Sequence, residues 1–230
     1  MKAEYVDHMG DDLRVVNAAR VSFDKESSWD EAERDEETGH EIEYVGSNQL
    51  KFDDIRLVKY LASHGHWTPF SHPQITLRET VPIFVARQRF KHTVGFAYNE
   101  VSRRYVSDEP DFYWPGSWRG APTGGAKQGS SGGLTHNENE TCNMALRQHE
   151  NASRDLYNDL LKRGVAPEQA RMVLPQSMFT SYYVTGSLAA WARAYKLRID
   201  THSQKEIRDL AVWWGDIIAP LFPVSWKALT

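Results

Sequence analysis

The residues from position 87 to position 105 carry the densest set of charged and hydrogen-bonding groups in the chain. Within these 19 residues lie five cations, which are Arg87, Arg89, Lys91, Arg103 and Arg104. The same stretch contains His92, Glu100 and Ser102. Guanidinium and ammonium groups bind phosphate oxygens, whereas amide, carboxylate and hydroxyl groups can hydrogen-bond the polar edge of a ring. The stretch therefore predicts capture of a phosphorylated, planar ligand.

Two elements must position these groups. Pro82 suits the first position of a helix, and a helix from about 82 to 93 would place Gln88, Lys91 and His92 on one face. Residues 98–105 alternate like a strand, with Glu100, Ser102 and Arg104 on one side. The alternatives are a solvated basic helix face and an ordinary surface salt bridge between Glu100 and Arg104.

The remaining pattern favours an α+β fold with helices around a mixed or antiparallel sheet. Strands are predicted near Tyr5 and at 74–78 and 178–184. Further helices are predicted at 53–62, 138–163, 187–195 and 201–219, the last with Thr201 as its cap. An acidic loop or weak helix is expected at 24–50, and a Gly/Ser-rich loop or insertion at about 116–135.

Composition limits the class of protein. A chain of 230 residues fits one domain spanning 1–230, or two small ones. The net charge of −4 argues against a general nucleic-acid binder. A single cysteine excludes an internal disulfide, and neither a secretory leader nor a membrane-spanning run is evident. We expect a cytoplasmic protein (in the host cytoplasm if it is viral).

Three further sets of residues are candidates for chemistry: a group of histidines, the single cysteine, and cations toward the C-terminus. Three histidines, His64, His66 and His72, fall within nine residues, but no Cys or acidic residue lies among them, so we predict no metal site and keep a metal-dependent nucleotide hydrolase as a rival. Cys142 follows Glu140 and lacks a positive, base-assisted setting, so it is not expected to be a nucleophile. Toward the C-terminus, Arg171, Arg198 and His202 could add cations to an anionic pocket.

Several blocks in a fixed order resemble the flavin-dependent thymidylate synthases, the alternative enzymes that make dTMP from dUMP. The resemblance covers roughly residues 10–107 and 166–226. Its blocks are 18–23 (Ala-Ala-Arg-Val-Ser-Phe), 64–70 (His-Gly-His-Trp-Thr-Pro-Phe), 82–88, 99–102 (Asn-Glu-Val-Ser), 170–175 and 197–206.

The resemblance implies roles for individual residues. Positions matching dUMP contacts are Gln88, Lys91, Glu100, Ser102, Arg104, Arg171 and Arg198. Positions matching FAD contacts are Ser22, His66, Thr68, Lys91, His92, Thr93, Val94, Ser187, Arg193 and His202. Arg198 would act catalytically by stabilising charge on the uracil carbonyl oxygen. The family also implies methylenetetrahydrofolate as carbon donor, NADPH as reductant, and a homotetramer with shared active sites.

The chain departs from the family signature of Arg-His-Arg, seven residues and Ser. Here Lys91-His92-Thr93 is followed by eight residues and then Ser102. Lysine keeps the charge but loses the bidentate fork of arginine. A family member with reduced or lost activity, acting as a nucleotide- or flavin-binding protein, is therefore one alternative. An RNA-binding module that uses the five cations with Tyr98 and Tyr105 for stacking is another.

Overall fold

The computed structural model describes residues 1–30, 49–106, 108–124 and 129–230. The acidic loop or weak helix predicted for 24–50 lies largely outside these residues. The strands are β1 (Lys2–Met9), β2 (Gln74–Pro82), β3 (Phe96–Glu100) and β4 (Phe179–Ser187). The helices are α1 (Asp12–Arg20), α2 (Phe52–Ser63), α3 (Ile83–Arg89), α4 (His136–Lys162), α5 (Pro167–Ala170), α6 (Leu188–Ile199), α7 (Lys205–Ile218) and α8 (Pro223–Leu229).

The four described strands form one antiparallel sheet in the order β1-β2-β4-β3. Side chains alternate between its faces, so that Ile75 and Leu77 of β2 are fully buried while Arg78 between Leu77 and Glu79 is exposed. In β4 the same alternation buries Tyr182 and Val184 and leaves Tyr183 51% exposed. The predicted α+β fold is confirmed, and its sheet is antiparallel.

Helices α6 and α7 pack on the buried face of the sheet and bring two indoles into the core. Trp191 of α6 and Trp214 of α7 are fully buried, with ring centroids 5.5 Å apart. The Trp191 indole N–H donates to the Ile75 carbonyl at 3.1 Å. This bond ties α6 to the central strand β2, and α6 carries Arg193 and Arg198 near the surface.

Three sequence predictions near the candidate site were wrong. Helix α3 ends at Arg89, not Thr93, because a tight turn leads to Gly95, whose φ of +78° is suited to glycine. Strand β3 ends at Glu100, so the alternation predicted through residue 105 stops there, and a turn begins at Ser102. The last long helix begins at Lys205 after Gln204, so Thr201 is not its cap.

The described part of the chain lacks a membrane-spanning helix and a metal-binding cluster. No helix in it has both the length and the apolar composition needed to cross a bilayer. The same residues contain no group of three or more His, Cys, Asp or Glu side chains arranged to hold a metal ion.

Candidate active site

The Arg198 cleft, the largest of three that contain predicted site residues, has a volume of about 1160 Å³. Gln88, Arg198 and His202 line it, together with residues of the Gly/Ser-rich segment and the loop before α7. Gln88 lies in the last turn of α3, and Arg198 lies in the last turn of α6. His202 is exposed and its ring pairs with Asp200 at 2.8 Å. The packing of α3 and α6 against the sheet thus brings two predicted residues from distant sequence positions to one cleft.

Arg198 is held by a histidine rather than by a carboxylate. Its Nε donates to His92 Nε2 at 2.8 Å, and its Nη2 donates to the Gln88 carbonyl at 3.4 Å. In the described structure these are its recorded partners, which leaves Nη1 for a ligand. Burial, with the charge of Arg89, lowers the pKa of Arg198, but a guanidinium stays protonated at neutral pH.

The bond from Arg198 requires His92 to be neutral at Nε2. Burial and the charges of Arg198, Arg89 and Arg193 lower the pKa of His92 to about 4. The His92 carbonyl accepts from the Tyr98 hydroxyl at 2.7 Å, which fixes the turn after α3 against β3. Because His92 is neutral and no described carboxylate pairs with Arg198, this part of the cleft favours anionic charge on a ligand.

The Arg171 cleft, of about 760 Å³, holds Glu100 and Arg171. Glu100 accepts a hydrogen bond from the Thr180 hydroxyl at 2.6 Å, and Arg171 Nε donates to the Glu168 carbonyl at 3.3 Å. The Glu100–Arg104 surface salt bridge, considered as the alternative to ligand binding, is not among the described ion pairs. Arg104 instead donates to the Ser102 hydroxyl at 3.3 Å.

The Arg193 cleft, of about 540 Å³, holds three predicted FAD residues, Val94, Ser187 and Arg193. Ser187 caps α6, since its hydroxyl accepts from the Ala190 N–H at 3.2 Å. The Arg193 guanidinium donates to the Val94 carbonyl. Trp67, which is 63% exposed, lines the same cleft and follows His66 in the turn after α2.

The other predicted site residues lie at the surface of this chain. Ser22 is in the turn after α1, His66 and Thr68 are in the turn after α2, and Lys91 and Thr93 flank buried His92. All five are exposed. Because α3 ends at Arg89, the predicted common helical face of Gln88, Lys91 and His92 does not exist.

Sequence reasoning missed two groups beside these clefts. Arg89, counted among ligand-binding cations, is fully buried and bonds Glu79 at 3.2 Å. Arg119 of the Gly/Ser-rich segment contacts Glu206 of α7 at 2.7 Å, next to the Arg198 cleft. Neither pairing has a local sequence signal, because the partners are separated by 10 and 87 positions.

The fold is an antiparallel α+β fold in which each of three clefts contains an arginine. The Arg198 cleft, where the arginine has neutral hydrogen-bond partners, defines a class of protein that can bind an anionic ligand. The family model described as "Thymidylate synthase complementing protein" matches residues 4–224. The relative named flavin-dependent thymidylate synthase from Thermotoga neapolitana is 36% identical over 225 residues, covering 98% of this chain and 88% of the relative. The protein of the same name from Thermosipho africanus is 33% identical, covering 97% of this chain and 88% of the relative.

A solved structure shares the fold over almost the full length. The UMP/dUMP methylase PolB from Streptomyces cacaoi, bound with 5-Br dUMP, superposes with a TM-score of 0.80 at 27% identity, covering 99% of this chain and 93% of that one. The chain belongs to the flavin-dependent thymidylate synthase family.

Proposed function

We propose that the protein methylates dUMP to dTMP, with a bound flavin, FAD, as hydride carrier. Methylenetetrahydrofolate would donate the carbon and NADPH would reduce the flavin. The observation that carries the proposal is the Arg198 cleft, where a guanidinium with no carboxylate partner among the described residues lies beside Gln88 in a chain of this family. One domain spanning 1–230, with the Gly/Ser-rich insertion at about 116–135, would perform this work.

The Arg193 cleft fits a flavin nucleotide. It offers an exposed indole (Trp67), an apolar side chain (Val94) and a guanidinium (Arg193) around the glycine turn at Gly95. Aromatic and apolar groups suit a flat ring system, and a guanidinium suits a diphosphate. We assign Ser22, His66, Thr68, Lys91, His92, Thr93, Val94, Ser187, Arg193 and His202 to the flavin. When bound, the reduced flavin supplies the hydride, so that the protein contributes binding and orientation.

The chain's own residues stabilise charge on the pyrimidine. Reaction at uracil C5 pushes negative charge onto a carbonyl oxygen of the ring. Arg198, fixed by His92 and by the Gln88 carbonyl, can donate from Nη1 to such an oxygen, and a fixed donor stabilises the developing charge more than the ground state. Within the described residues no base contacts Ser102, whose hydroxyl accepts from Arg104, so we assign it to phosphate binding.

We infer that the dUMP phosphate is bound by Ser102, Arg104 and Arg171, with Gln88, Lys91 and Glu100 as further substrate contacts. Among these residues Gln88 lines the Arg198 cleft, whereas Glu100 and Arg171 line the Arg171 cleft, and the two clefts have no lining residue in common. The sheet face that carries Arg78 and Tyr183 is also exposed. Both observations support a homotetramer in which different subunits complete each site.

The proposal is tested by loading the purified protein with FAD and supplying dUMP, methylenetetrahydrofolate and NADPH. We expect dTMP to form, and we expect none from protein stripped of flavin. Absence of dTMP with the flavin bound would favour the alternative, a family member that binds flavin and nucleotide without catalysis. RNA binding is disfavoured by the net charge of −4 and by the burial of Arg89, one of the five cations it would need.

A further inference from the structure

Glu206, in the first turn of α7, is a nearly buried carboxylate with a full set of donors. It is 4% exposed, its two oxygens accept from Arg119 Nη2 at 2.7 and 2.9 Å, and Oε2 also accepts from Gln204 Nε2 at 2.8 Å. Burial alone would raise the pKa of Glu206, but the hydrogen bonds from Arg119 and Gln204 hold it below its ordinary value. Glu206 is therefore ionised at neutral pH and can only accept hydrogen bonds.

An acceptor-only group fixes which way the neighbouring amide points. Because Glu206 accepts from the Gln204 NH₂ group, the Gln204 carbonyl oxygen must face away from Glu206. That oxygen accepts from Gln88 Nε2. Gln88 therefore directs its NH₂ group toward Gln204, which engages one of the two N–H donors, and its own side-chain oxygen, which has no recorded partner among the described residues, is available as an acceptor beside the Arg198 cleft.

The hydrogen bonds from Gln88 to Gln204 and from Gln204 to Glu206 form a relay, and Arg119 connects the Gly/Ser-rich segment to it. The described parts of the segment pair with each other, since Gly120 N–H donates to the Gly132 carbonyl at 3.0 Å and Arg119 Nε donates to the Ser130 hydroxyl at 3.0 Å. Residues on both arms of the segment, Pro122 and Ser131 among them, line the Arg198 cleft. The ion pair thus keeps Glu206 charged and attaches one wall of the cleft to the same carboxylate.

We propose that Glu206 is a specificity-determining positioning residue, which, through Gln204, orients Gln88 to present an acceptor to the pyrimidine. This inference rests on the proposed function, because it concerns the base that the Arg198 cleft receives. An acceptor suits the N3–H of uracil. It repels cytosine, whose N3 is itself an acceptor, since two facing acceptors leave a buried polar group unpaired.

The test compares binding of dUMP and dCMP to the flavin-loaded protein by calorimetry. In Glu206→Gln the side chain at position 206 can donate as well as accept a hydrogen bond. The side-chain amides of Gln204 and Gln88 can then both flip. We expect the preference for dUMP over dCMP to fall about tenfold or more, the size of one mismatched hydrogen bond. Glu206→Asp, which keeps an acceptor-only group, should retain most of the preference.

Two further variants keep the test decisive. The double variant Arg119→Met with Glu206→Gln removes both charges of the ion pair, so no partly buried cation is left unpaired if the single variant fails to fold. Arg163→Met removes a cation exposed at the end of α4 and should change neither affinity.

Equal weakening of dUMP and dCMP in the Glu206 variants would mean a merely structural role and would overturn the inference. So would an unchanged preference, and in both cases the proposed function would stand if wild-type protein prefers dUMP. A wild-type protein that binds no dUMP would contradict the proposed function itself.

Discussion

At the scale of single residues, the distinctive feature is a guanidinium whose recorded hydrogen-bond partners are neutral. Arg198 contacts a neutral imidazole and a backbone carbonyl, and no carboxylate of the described residues neutralises it. Arg171 instead lies in a cleft that also contains Glu168 and Glu100, and its recorded bond is to a backbone carbonyl. We propose different tasks for the two arginines, charge stabilisation on the ring for Arg198 from its neutral partners, and phosphate binding for Arg171 from the family resemblance.

Substituting these arginines should separate the two tasks. Arg198→Ala should lower the turnover number far more than dUMP affinity, because its contact strengthens as charge develops on the ring. Arg171→Ala should mainly weaken dUMP binding, by ~1.5–3 kcal/mol for one charge-assisted contact. Steady-state kinetics with a separate binding titration distinguishes them. If both variants changed affinity alone and by the same factor, these assignments would be wrong.

The low pKa of His92 predicts a loss of stability in acid. The folded state holds the pKa of His92 at about 4, below its ordinary value of 6.5, so the unfolded chain takes up a proton first as the pH falls. The contribution of His92 is complete above pH 6.5 and is lost between about 6.5 and about 4. It amounts to on the order of 3–4 kcal/mol at ~1.4 kcal/mol per pKa unit.

Chemical denaturation at several pH values measures this effect against His92→Gln. Subtracting the variant removes the titration of carboxylates common to both proteins. Wild type should lose more stability than the variant between pH 6.5 and 4. If the free energies of unfolding of the two proteins changed in parallel with pH, His92 would not be held neutral by its surroundings.

At the scale of elements, α3 is attached to the sheet through a buried ion pair. Arg89, at its C-terminal end, bonds Glu79 of β2, and the Tyr182 hydroxyl of β4 donates to the same carboxylate at 2.6 Å. The guanidinium also lies 4.6 Å from the Trp214 ring and 4.8 Å from the Trp191 ring. This arrangement fixes where α3 ends and hence where Gln88 and His92 stand.

Breaking the pair on one side should be costly. Arg89→Met leaves the Glu79 carboxylate buried without its cation, and we expect a loss of ~3–5 kcal/mol in the free energy of unfolding. The double variant Arg89→Met with Glu79→Gln removes both charges and should recover much of the loss. Urea denaturation of the three proteins gives the comparison. A double variant no more stable than Arg89→Met would contradict the account of Arg89 as an electrostatic anchor.

Much of the element pattern could be predicted from the sequence, and the exceptions lie at the site. The alternation at 74–78 predicts β2, and Ser187 begins α6 as expected, because both signals are local. The end of α3 and the burial of Arg89 depend on partners in other elements, which periodicity cannot reveal. Because the predicted helix extended wrongly to Thr93, it placed Lys91 and His92 on a common helical face that does not exist.

At the scale of the whole molecule, the predicted substrate and flavin residues that line a cleft are divided among three clefts, and the others lie outside these clefts. Family resemblance predicts these residues but not their separation in one chain, since that depends on tertiary packing. If a second copy completes each site, Arg171 and Arg198 reach one substrate from different subunits. This arrangement would explain why each cleft is open to solvent when a single chain is considered.

Mixing two impaired variants tests the shared site. Arg171→Ala and Arg198→Ala would each form sites that lack one contact. Hybrid assemblies made by denaturing and refolding the two together should contain some sites with both arginines, and activity at low dUMP should exceed that of either parent. Hybrids confirmed by mass spectrometry that show no gain would place both arginines in the same subunit's site.

The central claim is that reduced flavin, without any protein thiol, allows reaction at C5 of the pyrimidine. Release of tritium from [5-³H]dUMP measures this step directly, and Cys142 is the single cysteine of the chain. We predict that flavin-loaded wild type and Cys142→Ala, each supplied with methylenetetrahydrofolate and NADPH, release tritium at the same rate and that neither does so without flavin. Loss of release in Cys142→Ala, or its absence from flavin-loaded wild type, would contradict the account.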